Sequence, residues 1–338
     1  MLKNDFGFQD FTQLLELVSR TENIWETMGL VDNTQYHYWT STGGKFRRVE
    51  DGEDLIKAQS RGGDRNFAGR ENAREEYFET AFYPLDGIVT PQDVQDLIQL
   101  DSEGGETPES VANRVKRLVA RIQRSHAKLL QRAMYRAIVN NSTYVEGNTA
   151  LEKNFSTVWG KSRKQANMDL TDAATDPFVT IEAQARRHII AEAGDNADGY
   201  EIVYAISSAG FDKLISHPKY EASYSQYASE QEPLRQRMVG NRNNRVFRHK
   251  GVIVVEMIEP AASGGFADNK GYVFPLGIPM FDIAFAPADT LEHANTVAQE
   301  AYLFMETSAR KQTVQSESSF VVCNHRPELV VEFTLTLA

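Results

Sequence analysis

Four places in this 338-residue chain hold side chains that enzymes or metal sites commonly use. Gly160-Lys161-Ser162 matches the end of a phosphate-binding loop, whose bare glycine backbone aims its N–H groups at a phosphate. The first glycine of that motif should stand at position 155, which is Phe155, so no nucleotide cradle is expected. Cys323 and His325 lie two apart in a strand-like run and would share a face, as a thiolate pair requires. However, Phe320-Val321-Val322-Cys323 reads as buried strand, where cysteine behaves as a small hydrophobe. Asp195, Asp198 and Glu201 sketch a calcium loop, but Ala197 occupies a required oxygen position and the glutamate is misplaced, leaving a turn. The seven histidines, His37, His126, His188, His217, His249, His293 and His325, are scattered, with no H-E-x-x-H. His126 falls near the apolar side of a helix and is expected to pack there. No G-x-G-x-x-G or G-x-S-x-G occurs. The expectation is a protein that is not an enzyme, with no cofactor and no metal.

The elements that would carry these residues make a mixed α+β pattern without a regular βαβ rhythm. The clearest is a long helix over about 107–140, with Thr107 as N-cap, Pro108 at the first helical position, and Val111, Val115, Leu118, Ile122, Leu129, Ala133 and Ile138 on one face. At 1.5 Å per residue it would run on the order of 45–50 Å, so something extended must lie along it. Its other face holds Arg114, Arg117, Arg121, Arg124 and Lys128, and no acid occurs from Val111 to Ile138. Such a stripe either faces a polyanion or finds carboxylates such as Asp101, Glu103, Glu106 and Glu109 of another copy. In an acidic protein the second is the readier outcome.

Upstream, Phe8 to Val18 have helical spacing up to a break at Thr21–Asn23, and Trp25, Tyr36, Tyr38 and Trp39 have no apolar partner nearby in sequence. These aromatics need cover from elsewhere, which makes Trp25, Tyr38 and Trp39 candidate contacts between subunits. From Ser41 to Arg70 six of thirty residues are glycine, and Arg61, Arg65 and Arg70 stand among mixed charges. A long segment that buries so little is expected to act outside its own domain. Downstream, a hairpin is expected around Gly147-Asn148, a connector over Lys161–Asp176, and a helix over Phe178–Ala193. Strands are expected at Tyr200–Ser207, Val246–Met257 and Tyr272–Ala286, with one or two more in Ser319–Leu337, broken near Asn324–Pro327.

Composition narrows the function further. Thirty-six Lys plus Arg against forty-seven Asp plus Glu give a net charge of −11, which disfavours general nucleic-acid or anionic-membrane binding. One cysteine forbids an internal disulfide and fits a reducing compartment. The start, Met1-Leu2-Lys3-Asn4-Asp5, lacks the basic and apolar stretches of a signal peptide, and no window of about 20 apolar residues offers a membrane span. A chain with an aromatic arm, a glycine-rich loop and no catalytic constellation is expected to assemble.

Several ordered runs carry a family likeness. Gly271-Tyr272-Val273-Phe274-Pro275-Leu276-Gly277-Ile278-Pro279, then Ala286-Pro287-Ala288-Asp289, and finally His325-Arg326-Pro327-Glu328-Leu329-Val330 resemble the lambda-type major capsid proteins of tailed bacteriophages. Arg61-Gly62-Gly63, Trp159-Gly160-Lys161 and Phe247-Arg248-His249-Lys250-Gly251 are similar in order and spacing. The resemblance implies the Hong Kong 97 capsid fold: an N-terminal arm over 1–40, an extended loop over 41–80, a peripheral domain over 81–177 and 313–338 carrying the spine helix, and an axial domain over 178–312. It implies a homo-oligomer of hexamers and pentamers closing into an icosahedral head in the host bacterial cytoplasm. Scaffold and portal proteins would be partners, a decoration protein could join them, packaged double-stranded DNA would touch the shell by weak non-specific contact, and no membrane would be involved. In this reading Arg61, Arg65 and Arg70 pair with a neighbour's carboxylates, and the basic helix faces inward. Relatives outside the lambda type crosslink a loop lysine to an asparagine, a role not carried over to Lys45 or Lys57. The competing readings are a decoration or tail protein, a hydrolase without a recognisable motif, and a nucleic-acid-binding module using the basic helix.

Overall fold

The computed structural model describes residues 8–12, 23–50, 72–95, 98–100, 106–108, 111–194, 199–221, 224 and 228–338. Two sheets and one long helix organise them. The first sheet runs in the order Phe8–Asp10, Tyr302–Thr307, Gln312–Asn324, Phe281–Phe285 and Tyr36–Tyr38, with Ala81–Pro84 and Gly87–Val89 on the other edge of Gln312–Asn324. The second runs Val246–His249, Val252–Met257, Glu201–Ser207, Lys270–Leu276, Val331–Thr336 and Lys164–Asp169. All six residues of Val252–Met257 are buried, which explains why Val252–Val255 reads as an apolar run rather than an alternation.

The long helix spans Val111–Val139, 29 residues or about 43 Å. Its apolar stripe serves two cores. Val119 and Ile122 pack with Leu303, Met305 and Val314 of the first sheet, while Leu130, Ala133, Met134 and Ile138 join the main core that continues into the second sheet. The helix lies close on the strand Gly87–Val89 because residue 87 has no side chain: a Cβ there would stand 2.7 Å from Leu118 Cδ1. At the other end, the Arg163 guanidinium donates to the carbonyls of Ile138 and Val139, satisfying acceptors that a helix terminus leaves open. The same guanidinium pairs with Glu332 in the second sheet, where Lys270 joins it.

Much of the expected layout is present: the long helix, the helical stretch from Pro177 to Ala193 with a π-turn at Glu182–Arg186, the strand Glu201–Ser207, and the break between Asn324 and Val331. Other expectations need correction. Phe8–Asp10 is a strand paired with Phe304–Glu306, whereas Leu14, Leu15 and Val18 of the expected helical run lie outside the described residues. A helix spans Ile24–Met28, where the Asn23 side chain caps the Trp25 and Glu26 N–H groups and the Asn23 N–H donates the reciprocal bond to the Glu26 carboxylate. Glu106–Pro108 pairs with Ile98–Leu100, so Thr107 is not the helix cap. Around Gly147 there is one bridge, Ser142 to Asn154, then a short helix at Phe155–Trp159 in place of a hairpin. The expected connector contains the strand Lys164–Asp169, an edge strand that buries only Met168 and therefore leaves little apolar signal. The C-terminal strands pair within the two sheets.

The sheets also cross the expected domain borders. Phe281–Phe285 and Tyr302–Thr307 pair with Gln312–Asn324, while Val331–Thr336 and Lys164–Asp169 continue the sheet of Glu201–Ser207.

Candidate assembly surfaces

The glycine-rich segment begins and ends in a two-stranded antiparallel ribbon. Gly43–Glu50 pairs with Asn72–Glu79 in unbroken register from Gly43 opposite Glu79 to Glu50 opposite Asn72. Its inward positions alternate with outward ones: Phe46 and Arg48 are buried, whereas Lys45, Arg47 and Val49 are exposed. Phe46 packs edge-on to Phe78 at 5.4 Å and to His325 at 5.4 Å, and Phe78 faces Trp159. Gly43 and Gly44 let the ribbon close against the Tyr77 and Trp39 rings, since a Cβ on either would fall within 3 Å of those rings.

Arg48 is the polar half of this root. It is 7% exposed and makes a bidentate pair with Glu328, Nη2 to Oε1 at 2.8 Å and Nη1 to Oε2 at 3.1 Å, while Nη1 also donates to the His325 carbonyl at 2.7 Å. Lys153 Nζ donates to the Tyr77 carbonyl and sits over the Phe78 ring. Beneath the root, His325 Nε2 lies 2.6 Å and His37 Nε2 3.3 Å from Asp282 Oδ2. Burial opposes the Asp282 charge, but the two imidazoles more than offset it and hold the carboxyl below its ordinary range. This carboxylate therefore joins Tyr36–Tyr38, Phe281–Phe285 and the turn after Asn324. Burial pushes the neighbouring Cys323 thiol well above its ordinary value, as fits a packed small hydrophobe. Among the described residues no cluster of His, Cys, Asp or Glu could hold a metal ion, and no helix is long and apolar enough to cross a membrane.

The aromatic candidates separate sharply. Trp25 is 0% exposed, edge-on to Tyr135 at 4.9 Å and near Phe274, so its cover comes from its own chain. Trp39 is half-buried against Phe46. Tyr38 is 43% exposed, stacked on Phe285. Arg61, Arg65 and Arg70 lie outside the described residues.

On the long helix, Lys116, Arg117, Arg121, Arg124 and Lys128 are exposed. Some cations of the helix meet carboxylates of their own chain: Arg114 lies 3.9 Å from Asp93, Lys128 3.9 Å from Glu259, and Arg136 2.8 Å from Glu152. Arg124 Nε donates to the Ala120 carbonyl one turn back, and neither Arg121 nor Arg124 pairs with a carboxylate among the described residues. His126 points to the sheet, 2.6 Å from Ser316 Oγ, and burial pushes it down to about 4, as expected of a packed histidine.

Sequence reading missed Phe46, Arg48 and Glu328 as the anchor of the ribbon. The signal available was the period-two alternation of Phe46 and Arg48 with Lys45, Arg47 and Val49.

Comparison with known proteins agrees with this architecture. The model of the family described as phage major capsid protein E matches residues 45–335. The major capsid protein of Pseudomonas phage KPP10 is 27% identical, covering 98% of this chain and 97% of that protein. Among solved structures, the cyanophage Pam1 capsid superposes with a TM-score of 0.54 at 15% identity, over 87% of this chain and 85% of that one. The mature capsid of bacteriophage PhiM1 gives 0.53 at 14% identity, over 90% and 87%. The two sheets, the long helix and the ribbon thus form the Hong Kong 97 type of capsid fold. With the family match running from the ribbon to the last strand, this chain belongs to the phage major capsid protein E family.

Proposed function

We propose that this chain is the major capsid subunit of a tailed double-stranded DNA bacteriophage, assembling as hexamers and pentamers into an icosahedral head around the genome. The family match over residues 45–335 carries this reading. The ribbon supports it physically: its root is welded to the body by Phe46, Phe78 and the Arg48–Glu328 pair, making a fixed bracket from which residues 51–71 can engage a neighbour. In this reading Arg61, Arg65 and Arg70 pair with a neighbour's carboxylates, each rim pair contributing only about 0–1 kcal/mol, so the closed shell gains from copy number. Tyr38 and Trp39 are the remaining aromatic contact candidates.

The exposed cations of the long helix, Arg121 and Arg124 foremost, are available to the carboxylates of a neighbouring copy and, on the inner face, to the phosphates of packaged DNA, held weakly and without sequence preference. Scaffold and portal proteins guide closure in the host cytoplasm, a decoration protein can add to the finished shell, and the subunit performs no catalysis.

Co-expression of the full chain with its scaffold, followed by negative-stain microscopy, tests the reading. Closed shells, tubes or hexamer sheets are expected, and a stable small oligomer at high concentration with scaffold present would overturn it. A second variant replaces residues 52–70 by a short turn, sparing Phe46 and Arg48. It should fold and fail to close shells, and normal particles would refute the use of that segment.

A further inference from the structure

Among the described residues one edge of the first sheet is left unpaired. Ala81–Pro84 and Gly87–Val89 pair with Gln312–Asn324 and with no other strand among the described residues. Phe82, Leu85 and Ile88 along it are 45%, 38% and 56% exposed. A free strand edge bearing an apolar row is a ready site for another chain.

The charges nearby indicate which chain. At the sheet's middle, Asp86, Asp289 and Glu317 crowd together. Burial, with Asp289 and Asp86 adding repulsion, holds the Glu317 carboxyl above its ordinary range. Its Oε2 accepts the Asp289 backbone N–H at 3.0 Å, the nearby His293 imidazole acts in the opposite sense, and no lysine or arginine pairs with Glu317 or Asp86 among the described residues. The same sheet ends in a hairpin tip, Ser308–Lys311, closed by a 2.9 Å bond from the Ser308 N–H to the Lys311 carbonyl and held by the Ser308 hydroxyl. Arg310 and Lys311 on this tip are exposed and have no carboxylate partner among the described residues. The cations and the acidic crowd are opposite in sign, and Lys311 does not reach Glu317 within one molecule. Lys311 and Glu317 are six residues apart on an extended strand, about 20 Å, far beyond the reach of either side chain.

We propose that the Ser308–Lys311 tip of one copy docks on the Ala81–Val89 edge of a second copy of this chain, with Arg310 and Lys311 answering Asp86 and Glu317. The contact joins two different patches, so successive copies follow one another around an axis and close when the rotation does. The cations select the partner and register, and the apolar edge supplies the burial. Because the tip is already closed by its own hydrogen bonds, little ordering is required on docking. The inference rests on the capsid-subunit reading and adds to it a specific surface.

Charge exchange tests it in the full chain co-expressed with scaffold. R310E/K311E should keep the far-UV spectrum and melting temperature of the wild type, since both positions are exposed, while its yield of closed shells falls about tenfold or more as acid meets acid. Adding D86K should restore much of that yield, and D86K alone should lower it. Carbodiimide treatment of wild-type shells should link Lys311 to Asp86 or Glu317 between copies. Wild-type shells together with an R310E/K311E variant that assembles equally well would overturn the docking alone. A loss that D86K fails to rescue, with no crosslink between the two segments, would overturn it too. Wild-type protein that never forms shells would remove the capsid reading itself, and the docking with it.

Discussion

Removing the Arg48 guanidinium while leaving Glu328 in place isolates what anchors the ribbon. Glu328 is 3% exposed, and its close ionic partners are Arg48 at 2.8 Å and Arg326 at 3.5 Å. Breaking a buried pair by deleting one member costs about 3–5 kcal/mol, because the survivor is left charged in a poor solvent. Arg326 stays near, so the low end, about 3 kcal/mol, is the figure for Arg48→Ala. With roughly 2 °C per kcal/mol for a chain of this size, the melting temperature of soluble capsomers should fall by about 6 °C. Amide exchange should rise first in Gly43–Glu50 and Asn72–Glu79, whose hold on the body is weakened. The companion variant Arg48→Met/Glu328→Leu removes both charges and should recover most of the loss, as apolar replacement of a buried pair often does. A melting temperature for Arg48→Ala within about 1 °C of wild type would refute the reasoning, given the size of the expected shift. So would a double variant that loses the sum of the two single effects.

Three further expectations concern the body of the subunit. His126 is neutral in the fold down to about pH 4, whereas an unfolded histidine takes its proton near 6.5, so its contribution is constant above pH 6.5 and turns unfavourable as pH falls towards 4. The loss should reach about 2–3 kcal/mol, read as the pH dependence of urea unfolding, and His126→Gln should flatten that slope. Trp25→Ala should destabilise the isolated subunit by about 3–5 kcal/mol through the cavity it opens, measured by denaturant unfolding, whereas Tyr38→Ala should leave stability nearly unchanged and register in shell yield. Gly87→Ala should lower stability by about 1–3 kcal/mol in the same measurement, because the new methyl meets Leu118 and must push the long helix off the sheet.

What could be read in advance follows from where each signal resides. The long helix announces itself because its apolar residues recur every three or four positions for eight turns, and Glu201–Ser207 and Val252–Met257 because they are buried on both faces. The family was legible in the ordered runs from Gly271 to Val330, although no single run is diagnostic. Sequence reading failed where the partner is remote. Trp25 is covered by Tyr135 and Phe274, more than a hundred residues away, and without them it looks like an aromatic awaiting a neighbour. Arg48 resembles its exposed neighbour Arg47, because nothing local marks Glu328, 280 positions on, as its counter-ion. Lys164–Asp169 forms by backbone pairing at a sheet edge, which composition does not encode.

Arg163 spans the interior seam of the subunit: one guanidinium closes the final turn of the long helix and neutralises a carboxylate inside the second sheet. Loosening either side strands a charge or exposes bare carbonyls on the other, so neither can melt ahead of its companion. Calorimetry should accordingly record a single endotherm for the free subunit, and a strain applied at the rod's far end would be felt at the sheet as one rigid piece.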